Sequence, residues 1–524
     1  MSGLPTDTGD RPWLVLGLAG LVLLVAAVPL FSVLVPPMGD YPNHLARMHI
    51  LAQIDSSAAL QANYVVRWVP SPYVAMDVIV PALARVVSVY TAGRLYLLLT
   101  FALMLLGAVL LHRALFDRWS AWPLLAALFL FNYVLDLGFI NYVSGVAVGL
   151  VAFAIWVRSA RWDERVRWAV SLAAAMSVYF SHYFAFAAYG VCVTTYELHA
   201  WWVAREFRLR PMARRAVVAG SQFVLPLVLF QSLDRAQGPT VTEYGTLAEQ
   251  LRGLLAPVQF SGSRFDVAIA AFLVLGVGLG LATGRLQLAA AMRLPLGVLG
   301  VLMLAMPQTL SSVWGMQFRL PVVIAVLTVA SLRPRLGSRL TVGVAGLATV
   351  LFLGHVGSIA LSWQARGRQY DELRAALGDI ERGARVLPFR VDAGTNPAIA
   401  RGPFFSFSQM PAIVVIERDA FVPFLHKQPM MTVHAAPRTE VIATPHGHTI
   451  PLADVWEGAD PVRGPAMLGT WDELGRRNFW GDWPRHFDYA VELHFGADAR
   501  LPPALRLVHR GSFFSIHKIV VTPG

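Results

Sequence analysis

The chain has 524 residues, 56% hydrophobic and only 14% charged, with a mean hydropathy of +0.55. Soluble domains carry about 25% charged residues, and water does not tolerate so much apolar surface, whereas a bilayer does. The net charge of +11 would point to nucleic acid in a soluble protein, but here the arginines cluster between apolar segments, the pattern of cytoplasmic loops, which excludes nucleic acid as a partner.

The uncharged run 13–35 exceeds the roughly 7–15 residues of a signal-peptide core and lacks a small-x-small cleavage site. Preceded by Arg11, it reads as a signal anchor. Further spans are expected at 95–111, 121–136, 138–157, 168–182, 183–204, 216–233, 267–283, 294–313, 319–332 and 340–363, which makes eleven with the first. The run 74–90 contains Asp77, Pro81 and Arg85 and is the doubtful one. If it does not span, the clusters Arg113/Arg118, Arg158–Arg167, Arg205–Arg215, Arg285/Arg293 and Arg333–Arg339 all fall on one side, which must be cytoplasmic. If it spans, they all lie outside. The first reading makes 74–90 a juxtamembrane or re-entrant helix on the outer face. The protein is then expected in a bacterial inner membrane, with its N-terminus cytoplasmic and residues 364–524 periplasmic. The lone cysteine, Cys192, lies in an apolar run and excludes an internal disulfide.

After residue 363 charge and proline rise. The runs 384–389, 412–417, 487–495 and 505–521 read as strands, the last two segments of the tail ending in a hairpin turned at Gly511. Tyr370, Leu373, Leu377 and Ile380 recur at helical spacing within 369–383. The expected architecture is an all-α polytopic membrane domain, 1–363, with outer-face juxtamembrane helices in loop 36–94, followed by a mixed α/β domain, 364–524.

The most informative stretch is Met38-Gly-Asp-Tyr-Pro-Asn-His-Leu-Ala-Arg-Met-His49. Gly39-Asp40 ends a turn, Pro42 suits a first helical turn, and a helix running to about Leu60 places Asp40, His44 and Arg47 on one face. Asp40 reads either as a helix cap, with Arg47 snorkelling to headgroups, or as a catalytic or sugar-anchoring carboxylate with cations nearby for a phosphate. Arg67 and Arg319 are further outer-face cations; Arg319, at the end of a span, is costly without an anionic partner. Asp136 and Asn141 flank a short outer turn and read equally as cavity lining or turn chemistry. His182 at an outer helix end reads more readily as a hydrogen-bonded interface residue, and Asp77 faces either a cavity or water. His426, His434, His446 and His448 lack the i, i+4 spacing of a helical zinc site.

The first span followed at once by a short acidic motif in a large outer loop, the many spans, and the tail's FDYAVELHF … LRLVHRGSFFSIHKIVV resemble the GT-C superfamily of membrane glycosyltransferases. The resemblance covers the architecture of the whole chain. It implies an inverting transfer of a sugar from a polyprenyl-phosphate donor to an acceptor at the periplasmic face, with Asp40 as the base and His44, Arg47, Arg67 and Arg319 as candidates for the donor phosphate. Membrane lipids and the lipid-linked donor are the implied partners; the acceptor, whether glycan, lipid or protein, is left open. Many members carry two acids in the first loop, whereas this chain has Asp40-Tyr41. A second acid would come from elsewhere, such as Asp77 or Asp136, and a divalent cation finds only weak support. The rival readings are a lipid or glycan transporter and a non-catalytic envelope scaffold; against the former, no paired broken helices repeat in two halves.

Overall fold

The structure is a computed structural model. It describes residues 10–205, 208–233, 240–260, 262–391, 407–426, 433–444, 449–470 and 477–520. In chain order the helices are α1 (Pro12–Ser32), α2 (Tyr41–Gln53), α3 (Ala58–Asn63), α4 (Val74–Leu83), α5 (Val89–Phe116), the single turn α6 (Tyr133–Asp136), α7 (Ile140–Arg158), α8 (Glu164–Ser181), α9 (Tyr183–Ala204), α10 (Leu209–Gln231), α11 (Leu247–Gly253), α12 (Arg264–Ala282), α13 (Arg293–Ala305), α14 (Arg319–Ala330), α15 (Ser338–Ala376) and, in the tail, α16 (Ile413–Arg418). Among the described residues six helical segments are long and apolar enough to cross a membrane: α1, α5, α10, α12, Ile140–Arg161 and Ser338–Asp379.

The molecule divides into two compact units. One takes in α1, Leu97–Ser232 and Thr240–Ser362; the other takes in Val33–Tyr96 and the tail from Trp363. In the first, α7 is surrounded on nearly every side, whereas α1, α10 and α12 bury few residues. Leu24 is 70% exposed on α1 and Val274 71% on α12. Such helices have hydrocarbon for solvent: their backbone is satisfied internally and their apolar side chains need no protein cover. Close approach at α7 rests on small residues. A Cβ at Gly145 would stand 2.8 Å from the Cβ of Ala185 and 2.9 Å from that of His182.

Several expected elements take another form. Residues 121–136 form a 3-10 helix, Trp122–Phe129, and then α6, because the Asn132 side chain accepts from Leu135 N–H and restarts the helix there. The span expected at 294–313 stops at Ala305 and gives way to a hairpin of Thr309–Leu310 with Val313–Trp314. The run 74–90 yields only the 10-residue α4, about 15 Å long and too short to cross a bilayer. The helix expected to reach Leu60 breaks after Gln53, and α3 begins anew with Ser57 as its cap. The helical pattern at 369–383 continues the last span through the 39-residue α15 to Ala376 and then a 3-10 turn, Leu377–Asp379; Tyr370, Leu373, Leu377 and Ile380 are all buried.

In the second unit β1 (Tyr64–Val66) pairs antiparallel with Val433–Ala435. Loop 36–94, which the sequence suggests grouping with the spans, thus packs with the tail. The tail's sheet has five strands. Leu505–Arg510, Phe514–Ile519 and Tyr489–Leu493 run antiparallel in that order, and Val386–Arg390 lies parallel to Tyr489–Leu493 and to Ile450–Pro451. Three of the four expected strand runs are present. The fourth, 412–417, is α16: Ile413, Val414 and Val415 are fully buried against α2, and all-round burial overrides their β preference. His446, His448, Lys427 and the side chain of His434 fall outside the described residues.

Gly145→Val introduces a side chain where none fits and is expected to lower stability by about 1–3 kcal/mol. Gly149→Ala, whose Cβ would meet only Val178 at 3.8 Å, should cost nothing. Thermal unfolding in detergent micelles separates them; equal midpoints would contradict the α7–α9 approach.

Candidate functional site

The turn at Gly39-Asp40 hands the chain to α2, whose first turn holds Pro42, and α2 is buried along most of its length. Asn43 makes three hydrogen bonds from this helix. Its Nδ2 donates to Gln409 Oε1 (2.8 Å) and to the Phe424 carbonyl (2.9 Å), and its Oδ1 accepts from His426 N–H (3.0 Å). These bonds fix segment 424–426 over the start of α2. His426 Nε2 then lies 3.6 Å from Asp40 Oδ2, and its ring stands 5.5 Å from that of His44. The Asp40 side chain makes no capping bond to α2 and keeps 19% of its surface exposed, so the cap reading does not describe it.

The place of a second acid is taken by Tyr41, which is buried. Burial raises its phenol far above the ordinary value, against the opposing effect of Arg94, so it contributes no anion. Arg47 Nη2 donates to Asp77 Oδ2 at 2.8 Å, with the two side chains 1% and 2% exposed. Two of the residues singled out in the sequence thus meet in a buried ion pair that ties α2 to α4, and the guanidinium's charge is matched within the protein. Arg67, beyond β1, is exposed.

Lower on α2, His49 Nε2 meets Asp419 Oδ1 at 2.8 Å, and Ser57 and Arg382 donate to Asp419 Oδ2. Burial alone would raise the Asp419 carboxyl, but the hydrogen bonds from His49, Arg382 and Ser57 outweigh it and hold the group well below the usual range.

The other unit holds a second cluster. Arg319 opens α14, and Tyr142 O–H donates to its carbonyl at 2.8 Å. Its guanidinium lies 4.8 Å from the ring centre of Phe139, 5.3 Å from Phe184 and 5.4 Å from Tyr142. The Nη1 atom stands 3.4 Å from His182 Nε2, while His182 Nδ1 accepts from Phe184 N–H and so caps α9. A cation buried among ring faces is held by their quadrupoles as well as by ion pairing. Arg319 also borders a pocket of ≈ 420 Å³ with Phe184, Leu299, Leu302, Met306 and Met316, whose other walls are apolar. Asp136 ends α6, and Asn141 is buried in the first turn of α7.

Sequence reasoning passed over Asn43 and His426 as functional residues. His426 sits in a loop with no periodic neighbours, and only the folded chain brings it to Asp40. Among the described residues no group of three His, Cys, Asp or Glu stands close enough to hold a metal ion.

Arg47→Met leaves Asp77 buried without its cation and should cost about 3–5 kcal/mol, with Arg47→Met/Asp77→Leu recovering much of the loss. A double-mutant cycle by chemical unfolding measures this; additive losses would mean the pair is not coupled. Because Asp419 is depressed, its stabilising contribution is complete above the ordinary carboxylate value of about 4 and is lost as pH falls below it. Asp419→Asn should therefore flatten the acid limb of a stability–pH curve, and an unchanged limb would rule this out.

No family profile matches the sequence, and no curated protein matches it by sequence. A solved structure does match: ArnT from Cupriavidus metallidurans bound to undecaprenyl phosphate, at 12% identity, covering 97% of this chain and 98% of that one with a TM-score of 0.50. The correspondence runs the length of both chains, and the chain shares the fold of that structure.

Proposed function

We propose that this protein is an inverting membrane glycosyltransferase that moves a sugar from a polyprenyl-phosphate donor to an acceptor hydroxyl at the periplasmic face of a bacterial inner membrane. The observation that carries the reading is Asp40: a part-exposed carboxylate directly after the first span, released from helix capping and set beside His426, in a chain that resembles the GT-C superfamily and shares the fold of ArnT. The acceptor oxygen attacks the anomeric carbon while Asp40 takes its proton; the bond from that carbon to the phosphate oxygen breaks, and polyprenyl phosphate leaves with the electron pair. A general base of this kind contributes about 10²–10⁴ in rate.

His426 and His44 orient the carboxylate and the incoming hydroxyl, and Asn43 holds His426 in place. Arg47 acts through Asp77 by fixing α2. Arg319, at its apolar pocket, suits the anionic end of a lipid, and Arg67, in the other unit, is an exposed cation that suits a phosphate. The one-sided arginine clusters support the periplasmic placement of Asp40 and the tail.

Cells lacking the protein, complemented with wild type or Asp40→Asn, test the assignment by mass spectrometry of lipids and glycans. Wild type should restore a missing sugar modification, while Asp40→Asn falls short by at least about 100-fold and accumulates the donor. Full restoration by Asp40→Asn would remove Asp40 as the base.

A further inference from the structure

A concentration of charge outside the residues discussed so far lies where α8 and α10 begin. An open groove of ≈ 1010 Å³ is lined there by Trp162, Glu164, Arg167, Arg210, Arg214 and Arg215, with Val218 as part of its floor. Four arginines face one glutamate. Glu164 is taken by Arg214, and Arg167 is engaged by Glu197 at 3.1 Å and by the Trp156 ring at 3.9 Å. Arg210 and Arg215 complete its arginine lining. The first turn of α10 holds no acidic residue, and its arginines stand at the positive end of the helix dipole, so the groove favours an anion.

The same helix says what carries the anion. Arg210, Arg214, Val217, Val224 and Val228 share one stripe of α10, since they recur at helical spacings. Val217 is 68% exposed, Val224 59% and Val228 56%. Cations at one end of a stripe, followed by bare apolar side chains, match a phospholipid in which the phosphodiester precedes the acyl chains. Trp162, 41% exposed at the rim, adds the amphipathic ring favoured at that depth.

We propose that the groove between α8 and α10 binds the headgroup of an anionic phospholipid, with its chains along the valine stripe. This site is separate from the proposed transfer chemistry and does not depend on it. Basic pockets between membrane helices recognise such headgroups through charge-assisted hydrogen bonds.

Native mass spectrometry of the full-length protein released from detergent micelles tests this, with phosphatidylglycerol and phosphatidylcholine of matched chains as probes. Phosphatidylglycerol should be retained in preference. Arg210→Gln/Arg215→Gln should weaken that retention about fivefold for each arginine, while Arg210→Lys/Arg215→Lys keeps most of it. Arg285→Gln/Arg339→Gln, removing two exposed arginines elsewhere, should leave it unchanged. Equal retention of both lipids, an unaffected glutamine variant, or an equal loss in the Arg285/Arg339 variant would overturn the proposal. Competition by glycerol 1-phosphate at the same concentration as the lipid would overturn it too, by marking a site for soluble anions.

Discussion

Three hydrogen bonds from one amide, that of Asn43, hold the Asp40 neighbourhood together. Asn43 sits on α2 with no exposed surface, and its partners, Gln409, Phe424 and His426, come from the far end of the chain. A buried amide that found fewer partners would cost about 1–3 kcal/mol for each group left unmade, so the tail segment has one position in which Asn43 is satisfied. That position sets the His426 ring beside Asp40. The buried Arg47–Asp77 pair does the same for the other side of α2, since neither charge has an alternative partner in water once enclosed. Between them the two contacts fix the helix that follows Asp40 in both rotation and depth.

The membrane unit solves a different problem. Its outer helices expose apolar side chains, which costs nothing in hydrocarbon, so the hydrophobic effect cannot drive helices together there. Packing is decided instead by where backbones approach. Gly145 lets α7 meet Ala185 and His182, and Gly107 would place a Cβ 2.7 Å from Leu150. Around α7, hydrogen bonds from polar side chains then find closed environments: Tyr142 to the Arg319 carbonyl, and Tyr189 to Gln222 at 2.7 Å.

Much of this was legible in the sequence. Long uncharged runs declare themselves because a membrane helix needs no periodicity, and the terminal hairpin at Gly511 was marked by alternation and a turn. What failed did so for physical reasons. The run at 412–417 carries β-branched residues buried on all sides, and a fully buried strand and a fully buried helix have the same pattern. The breaks at Asn132 and after Gln53 depend on side-chain caps, which compete locally with helix propagation and leave a weak signature. For the site, Asp40, His44, Arg47 and Asp77 were visible as polar groups in an apolar setting. That Arg47 and Asp77 would satisfy each other was not, because their pairing depends on how α2 packs on α4. His426 was invisible for the same reason, at greater distance.

Acids are scarcer than bases here, 32 against 43, and the structure spends the buried ones on ion pairs. Among the described residues Asp77 meets Arg47, Glu197 meets Arg167, Asp266 meets His355, Asp419 meets His49 and Arg382, and Glu492 meets His517. Asp77 and Glu197 are each enclosed with an arginine, and such a carboxylate resists accepting a proton because protonation would strand a buried cation. Asp40 differs in kind. It keeps 19% of its side chain in contact with solvent, and its contact with the His426 ring is a long one, 3.6 Å. A carboxylate that water reaches can take up a proton because solvent compensates the neighbouring charges, which a closed pair cannot do. That difference in environment, more than its place in a motif, separates Asp40 from the buried acids of the chain.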